Sequence, residues 1–214
     1  MAAYQASFFA AVDVAGVALG TAVAIGSAPV FTGLIEWGTT GRPPQPRWWV
    51  ATGVAAAGVA VLAGPSQLVP SGVVLALAAG LFYAVYAVAS KRLLDAGTDS
   101  AMAMAIVFGG GGLLLLPLLF LVDLSWLADP AGIATLAWLA GGTILLAYLL
   151  YGAGLRSVPA STAATLSLAE PLTAAVLGIG LLGERPTPAG LAGAAVILAG
   201  LLVLLTARRP PVPM

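Results

Sequence analysis

The chain has 214 residues, of which 61% are hydrophobic and only 7% charged, with a mean hydropathy of +1.07. A water-soluble domain of this length has too little interior for that composition, because charged residues make up about a quarter of a soluble chain. The net charge is zero, which offers nothing to nucleic acid or an acidic partner. Cys and His are both absent, which removes disulfides, thiol chemistry, the usual zinc, haem and iron–sulfur ligands, and every Ser–His or Cys–His nucleophile pair.

These exclusions lead to an all-α integral membrane protein with no expected metal, cofactor or enzymatic role. The N-terminus, Met1-Ala2-Ala3-Tyr4-Gln5, carries no positive n-region, so no cleavable signal peptide is expected. Residues 2–14 are apolar but too short to span, since a bilayer core needs about 20 apolar residues per helix. Seven segments are long enough: 16–37, 48–64, 72–92, 102–122, 132–153, 161–182 and 188–206. Gly41-Arg42-Pro43-Pro44, Gly64-Pro65-Ser66, Lys91-Arg92, Asp123 to Pro130, Arg156 to Pro159 and Gly183 to Pro188 separate them. Helix is the expected structure throughout, because lipid satisfies no backbone hydrogen bond and nothing alternates like a barrel strand.

Alternation of seven spans puts Arg42, Arg47, Lys91, Arg92, Arg156, Arg208 and Arg209 on one side and Arg185 on the other. This excess marks the first side as cytoplasmic, with the C-terminus on it, in the cytoplasmic membrane. Lys91-Arg92 and Arg208-Arg209 read first as headgroup anchors. Asp123, Asp129 and Glu184 fall outside. Trp37, Trp48, Trp49 and Trp126 sit near span ends, where an aromatic belt is expected.

Residues 18–62 and 160–204 carry one pattern at an ungapped offset of 142. Pro29/Pro171, Gly38/Gly180, Gly41/Gly183, Pro44/Pro186 and Pro46/Pro188 coincide, so each copy has a proline in an apolar run and then a turn of the form G-x-x-P-x-P. Five spans separate the starts of the copies, and an odd number makes them antiparallel. Inverted repeats of this kind are the layout of many transporters. The domains expected are 1–64 as the remainder of a first repeat, 72–206 as a complete second repeat of five spans, and 207–214 as a cytoplasmic tail. Tyr4–Val14 align at the same offset with Leu146–Arg156, so the first repeat is expected to lack two spans and most of a third.

Three stretches carry a family resemblance. Gly16-Val17-Ala18-Leu19-Gly20-Thr21 with Gly26-Ser27-Ala28-Pro29-Val30-Phe31-Thr32-Gly33-Leu34 resembles the fourth span of EamA-domain transporters of the drug/metabolite transporter superfamily. Leu168-Ala169-Glu170-Pro171 through Gly178, followed by Leu182-Gly183-Glu184-Arg185-Pro186 through Gly193, resembles the ninth span, its turn and the tenth. Leu77 to Tyr86 resembles the opening span of the second repeat. The resemblance implies two inverted five-helix repeats and carriage of small metabolites or drugs, often outward. The chain departs from the family at Gly41-Arg42, where the second copy has Gly183-Glu184.

Candidate site residues follow from chemistry inside the spans. Glu170 lies mid-span, where an ionised carboxylate costs a few kcal/mol, so it is a candidate ligand for substrate or a proton. The plain alternative is a Glu bonded to backbone freed by Pro171; the other copy has Ala28 at this position. Pro29 and Pro171 each remove a helix donor and are candidate helix breaks, or simple kinks. Tyr83 and Tyr86 share one helix face, as do Tyr148 and Tyr151, and Phe82 adjoins the first pair. They would line a cavity for an organic solute, or pack in the ordinary way. Ser167 and Gln5 are weaker polar candidates. Gly109 to Gly112 lacks the Lys-Ser/Thr of a phosphate loop and reads as close helix packing.

The function expected is a membrane transporter, an exporter of small organic solutes by alternating access, with protons as a possible coupling ion and a homodimer as a possible assembly. The alternative is a truncated membrane scaffold that transports nothing and needs a partner chain.

Overall fold

The computed structural model describes residues 1–64, 69–183 and 185–206. Arg208, Arg209, Glu184 and the tail 207–214 lie outside the described residues. All the regular structure described is helical, and seven helical stretches are long and apolar enough to cross a membrane. In chain order the helices are α1 Ala2–Ala15, α2 Val17–Thr40, α3 Pro46–Ala63, α4 Pro70–Asp95, α5 Ser100–Leu115, α6 Pro130–Trp138, α7 Ala147–Leu155, α8 Ala160–Leu166, α9 Ala169–Leu182 and α10 Pro188–Leu205. Two compact groups are present. One holds Met1–Ala2 and Tyr86–Pro159; the other holds Ala3–Val85 and the described residues from Ala160 on.

The punctuation of the two copies matches residue for residue. α2 ends at Gly41 (φ 69) and α9 ends at Gly183 (φ 67), both in the left-handed region that glycine enters without a Cβ penalty. α3 and α10 then both open on a proline, Pro46 and Pro188, whose missing N–H would have had no helical partner there. Gly16 (φ 81) alone joins α1 to α2.

The larger group is built around α3 and α10. A Cβ placed on Gly58 would come within 2.6 Å of the Ile197 nitrogen, and one on Gly200 within 2.6 Å of the Ala55 nitrogen. One on Gly193 would come within 2.5 Å of the Leu62 nitrogen, while Ala51 shares a buried cluster with Leu204. As the α3 number rises the α10 number falls, so the two helices are antiparallel. Moving each α3 residue forward by the repeat offset, and its α10 neighbour back by it, regenerates the same set. Gly58–Ile197 becomes Gly200–Ala55, and Leu62–Gly193 becomes Leu204–Ala51. A two-fold relation therefore runs between the copies, as an inverted repeat demands. In lipid no hydrophobic force drives helices together, so small residues that let backbones touch supply the attraction through dispersion.

Several elements depart from the sequence reading. Trp48 does not join an aromatic belt: its ring is 5% exposed, packed over Gly33, where no side chain would fit. Trp37 and Trp126 are exposed near helix ends. Pro29 does not break α2, which runs continuously from Val17 to Thr40. One lost backbone bond is tolerated in a membrane helix held by neighbours on several sides. Of Gly109 to Gly112, only Gly111 has another segment close to it, at Met1. Pro117 turns the end of its span into a 3₁₀ stretch, Leu116–Phe120. A π-helical stretch, Leu139–Leu146, joins α6 to α7.

In the loop between α5 and α6, the Asp123 carboxylate accepts hydrogen bonds from the Ser125 backbone N–H and hydroxyl, each at 2.8 Å. These bonds hold its carboxyl below the ordinary value of 3.8. A lowered value means that the turn they make is fully present above the ordinary value and is lost only as pH falls through the lowered one.

Gly200→Val should destabilise the protein by about 1–3 kcal/mol through overpacking against Ala55. Gly26→Ala, whose new methyl meets only the Ala56 Cβ at 3.9 Å, should change little. Thermal unfolding in detergent, followed by loss of the monodisperse peak, checks both.

Candidate functional site

The span of the second copy is broken where the first is continuous. α8 stops at Leu166 and α9 starts at Ala169. Pro171 has no N–H to offer the Ser167 carbonyl, and the Glu170 N–H takes that carbonyl one residue early, at 3.0 Å. The Leu168 N–H likewise donates three residues back, to the Thr165 carbonyl at 3.1 Å. The break thus lies before Pro171, which falls in the first turn of α9 and costs that helix no bond. Leu168 is fully buried in the cluster of Ala55, Val59, Ile197 and Leu201 and fixes the turn against α3 and α10.

Two of the sequence-derived residues meet here. The Tyr83 hydroxyl, carried on α4, lies 3.1 Å from the Ser167 hydroxyl, which itself bonds the Ala163 carbonyl at 3.2 Å. Tyr4 stands edge-on to Tyr83 with ring centroids 5.8 Å apart, and Phe8 stacks on Tyr4. Glu170 is in the first turn of α9 and exposed on the surface of the chain. A carboxylate is favoured there by the positive end of the helix.

The other three tyrosines belong to the smaller group. Tyr86 is buried, and its ring lies 6.2 Å from Phe108. Phe108 packs against Tyr148 at 4.0 Å, and Tyr148 meets Tyr151 edge-on at 6.1 Å. Tyr86 is thus linked through Phe108 to the pair Tyr148 and Tyr151, while Tyr83 belongs to the larger group, and the π-helical stretch ends just before Tyr148. An open groove of about 550 Å³ runs along α9, lined by Leu62, Pro171, Ala174, Ala175, Leu177, Gly178 and Leu181. It is apolar, and Pro171 alone of the candidate residues lines it.

Sequence reasoning passed over the residues that hold α8. The Glu36 carboxylate accepts from the Ala160 N–H at 3.2 Å and the Ser161 N–H at 3.1 Å. The Trp48 indole donates to the Ser161 carbonyl at 3.2 Å, and the buried Thr52 and Thr165 hydroxyls meet at 2.9 Å. Glu36 was detectable, as an acid within a long apolar run. Among the described residues, no group of three His, Cys, Asp or Glu is placed to hold a metal ion.

A bundle of apolar helices with inverted halves and a broken helix carrying polar groups defines a multi-pass membrane protein of the transporter class. The EamA-like transporter family matches residues 70–206. The chain is 42% identical to an uncharacterized transporter, YwfM, of Bacillus subtilis over 212 residues, 98% of this chain and 71% of that protein. An uncharacterized transporter of Haemophilus influenzae is 34% identical over 116 residues, 53% of this chain and 67% of that protein. One solved crystal structure shares the fold with a TM-score of 0.81, at 22% identity, over 95% of this chain and 73% of its own. The chain belongs to the EamA-like transporter family and is a multi-pass membrane transporter.

Interhelical hydrogen bonds in membranes contribute about 0.6 kcal/mol on average and at most about 1.7 kcal/mol. A double-mutant cycle on Tyr83→Phe and Ser167→Ala, read by unfolding in detergent, should give a coupling in that range. Additive single effects would show that the two hydroxyls do not interact.

Proposed function

We propose that this transporter carries small organic solutes out across the cytoplasmic membrane by alternating access. The observation that carries the reading is the break at Ser167–Leu168, confined to the second copy. It brings the Ser167 hydroxyl to Tyr83 and puts Glu170 at the start of a half-helix inside an apolar span. Polar groups at such a place in lipid are expensive, and substrate or coupling-ion sites account for their retention. Tyr83, Ser167 and Glu170 form the proposed polar part of the site, with Glu170 as ligand for a cationic or amine-bearing solute or for a proton. Within the smaller group, Tyr86, Tyr148 and Tyr151, linked through Phe108, form a separate aromatic patch proposed to meet solute. The repeats 1–64 and 72–206 supply the two inverted halves, and the side bearing Arg42, Arg47, Lys91, Arg92 and Arg156 faces the cytoplasm.

The test is solute flux in reconstituted vesicles across a panel of amines, amino acids and organic cations, with and without an imposed pH gradient. The wild type should exchange at least one such solute and respond to the gradient, and Glu170→Gln should lose that response. Full transport by Glu170→Gln at all pH values would remove the proton role. A phosphatase fused to the C-terminus should be silent, since that enzyme works only outside the cytoplasm; an active fusion would reverse the orientation.

A further inference from the structure

Helix α8 is seven residues long, two turns, and too short to hold itself as a helix. Its leading N–H groups have no intrahelical partner, and lipid offers them none. In this chain they are met by Glu36, which reaches from the end of α2 across 124 residues of sequence. Each carboxylate oxygen takes one N–H, Oε1 that of Ala160 and Oε2 that of Ser161. The Ser161 carbonyl in turn accepts the Trp48 indole, and Thr165, one turn on, meets Thr52. Ala160, Ser161 and Thr165 are all buried, so the Trp48 and Thr52 bonds are shielded from competing water and the Glu36 bonds partly shielded. The half of the span beyond the break is held differently. Thr173, the hydroxyl-bearing residue of α9, bonds only back to Ala169 in its own helix.

The geometry points to Glu36 as a positioning residue of the transport site: by holding the start of α8 it sets where the break falls, and hence where Ser167 meets Tyr83. Trp48 and Thr52 complete the grip. The chain of support is short. Glu36 fixes Ala160 and Ser161, one rigid turn carries Ala163 and Thr165, and Ser167 follows at the next. Ser161 and Thr165 face α3, while Ser167 turns to α4, so α8 transmits position from one side of the group to the other. This inference rests on the proposed site in one respect only, that Ser167 and Tyr83 contact the solute; the anchoring itself stands apart from it.

The chain contains no cysteine, so labels are placed in the full protein without a prior background change. Spin labels at Thr162→Cys on α8 and Val50→Cys on α3 report the distance between those helices. With Glu36 present the distribution should be narrow. Glu36→Ala should broaden it, and Glu36→Gln, which keeps one acceptor, should fall between. In vesicles, Glu36→Ala should raise the KM for a transported solute by roughly tenfold, the scale of leaving a buried donor unmet. The maximal rate per monodisperse protein should change far less, and Glu36→Gln should recover part of the KM. A narrow distribution in a folded Glu36→Ala protein would overturn the anchor. A broadened distribution with an unchanged KM would overturn the positioning role and leave transport by the wild type intact. A broadened distribution in a protein whose wild type moves no solute of the panel would retain the anchor and remove the proposed solute site instead.

Discussion

A backbone in lipid has no water to turn to, and this chain's helix ends show how that demand is met. Helix interiors satisfy themselves, but each helix leaves unmet N–H groups at its start and unmet carbonyls at its end. Glu36 meets the N–H groups of α8, and Asp99 meets those of Ala101 and Met102 at the start of α5. Arg47 meets the Val203 carbonyl at 2.8 Å and the Thr206 hydroxyl at the end of α10. Lys91 meets the Arg156 carbonyl at 3.3 Å, just past α7, while pairing with Asp95 at 2.9 Å. Acids serve helix starts and cations serve helix ends, as the helix dipole favours. In a chain with so few charges, Glu36, Asp99, Arg47 and Lys91 are all occupied in this way. Two of the positive residues near span ends, Arg47 and Lys91, thus also close helices.

Packing follows from a second consequence of the lipid solvent. Burial of apolar surface does not distinguish a neighbouring helix from a lipid tail, so close backbone approach decides which helices associate. Many buried residues of the larger group are accordingly small: Ala11, Ala24, Ala51, Ala55, Ala76 and Ala79 are nearly or fully buried. Ala and Gly at α3 and α10 bring those helices to backbone contact, and the two-fold relation between the copies makes each such residue serve twice. The pair joins one helix of each repeat into a single unit, and the α8 anchor ties a further helix of the second repeat to α2 and α3 of the first.

Much of this was legible before any coordinates. Span number and helical class follow from hydropathy alone, and Gly41/Gly183 with Pro46/Pro188 marked helix ends because only glycine and proline make those backbone events cheap. The break attributed to Pro171 lies in the residues before it, since a proline disturbs the turn on its N-terminal side. Pro29 shows why one residue is a poor guide: the same proline in the first copy leaves α2 whole. The π-helical stretch has no period of its own in a run that is apolar all round. Trp48 read as an interfacial residue because it lies two residues inside a helix start; its burial depends on Gly33, which is distant in sequence and silent by itself. Glu36 stands out in the sequence only as an acid near the end of an apolar run; its partners, Ala160 and Ser161, are 124 and 125 residues away.

The deepest difference between the copies is chemical before it is conformational. Around the break the second copy has Thr165, Ser167 and Glu170; at the same offset the first has Val23, Ile25 and Ala28. Where the apolar set stands, the helix is continuous, with Ile25 against the cluster of Ala55, Val59 and Ile197 and Val23 against that of Ala11, Ala76 and Ala79. Where the polar set stands, the backbone tightens, Ser167 turns outward to Tyr83, and an acid takes the first turn of a new helix. The first copy keeps hydroxyls of its own, Ser27 and Thr32, but both bond back to carbonyls within α2 and so ask nothing of other helices. The first copy holds α8 through Glu36, Trp48 and Thr52, and the second carries the polar groups of the break. The two copies share their helix punctuation and a packing seam, and they differ in where their polar groups bond.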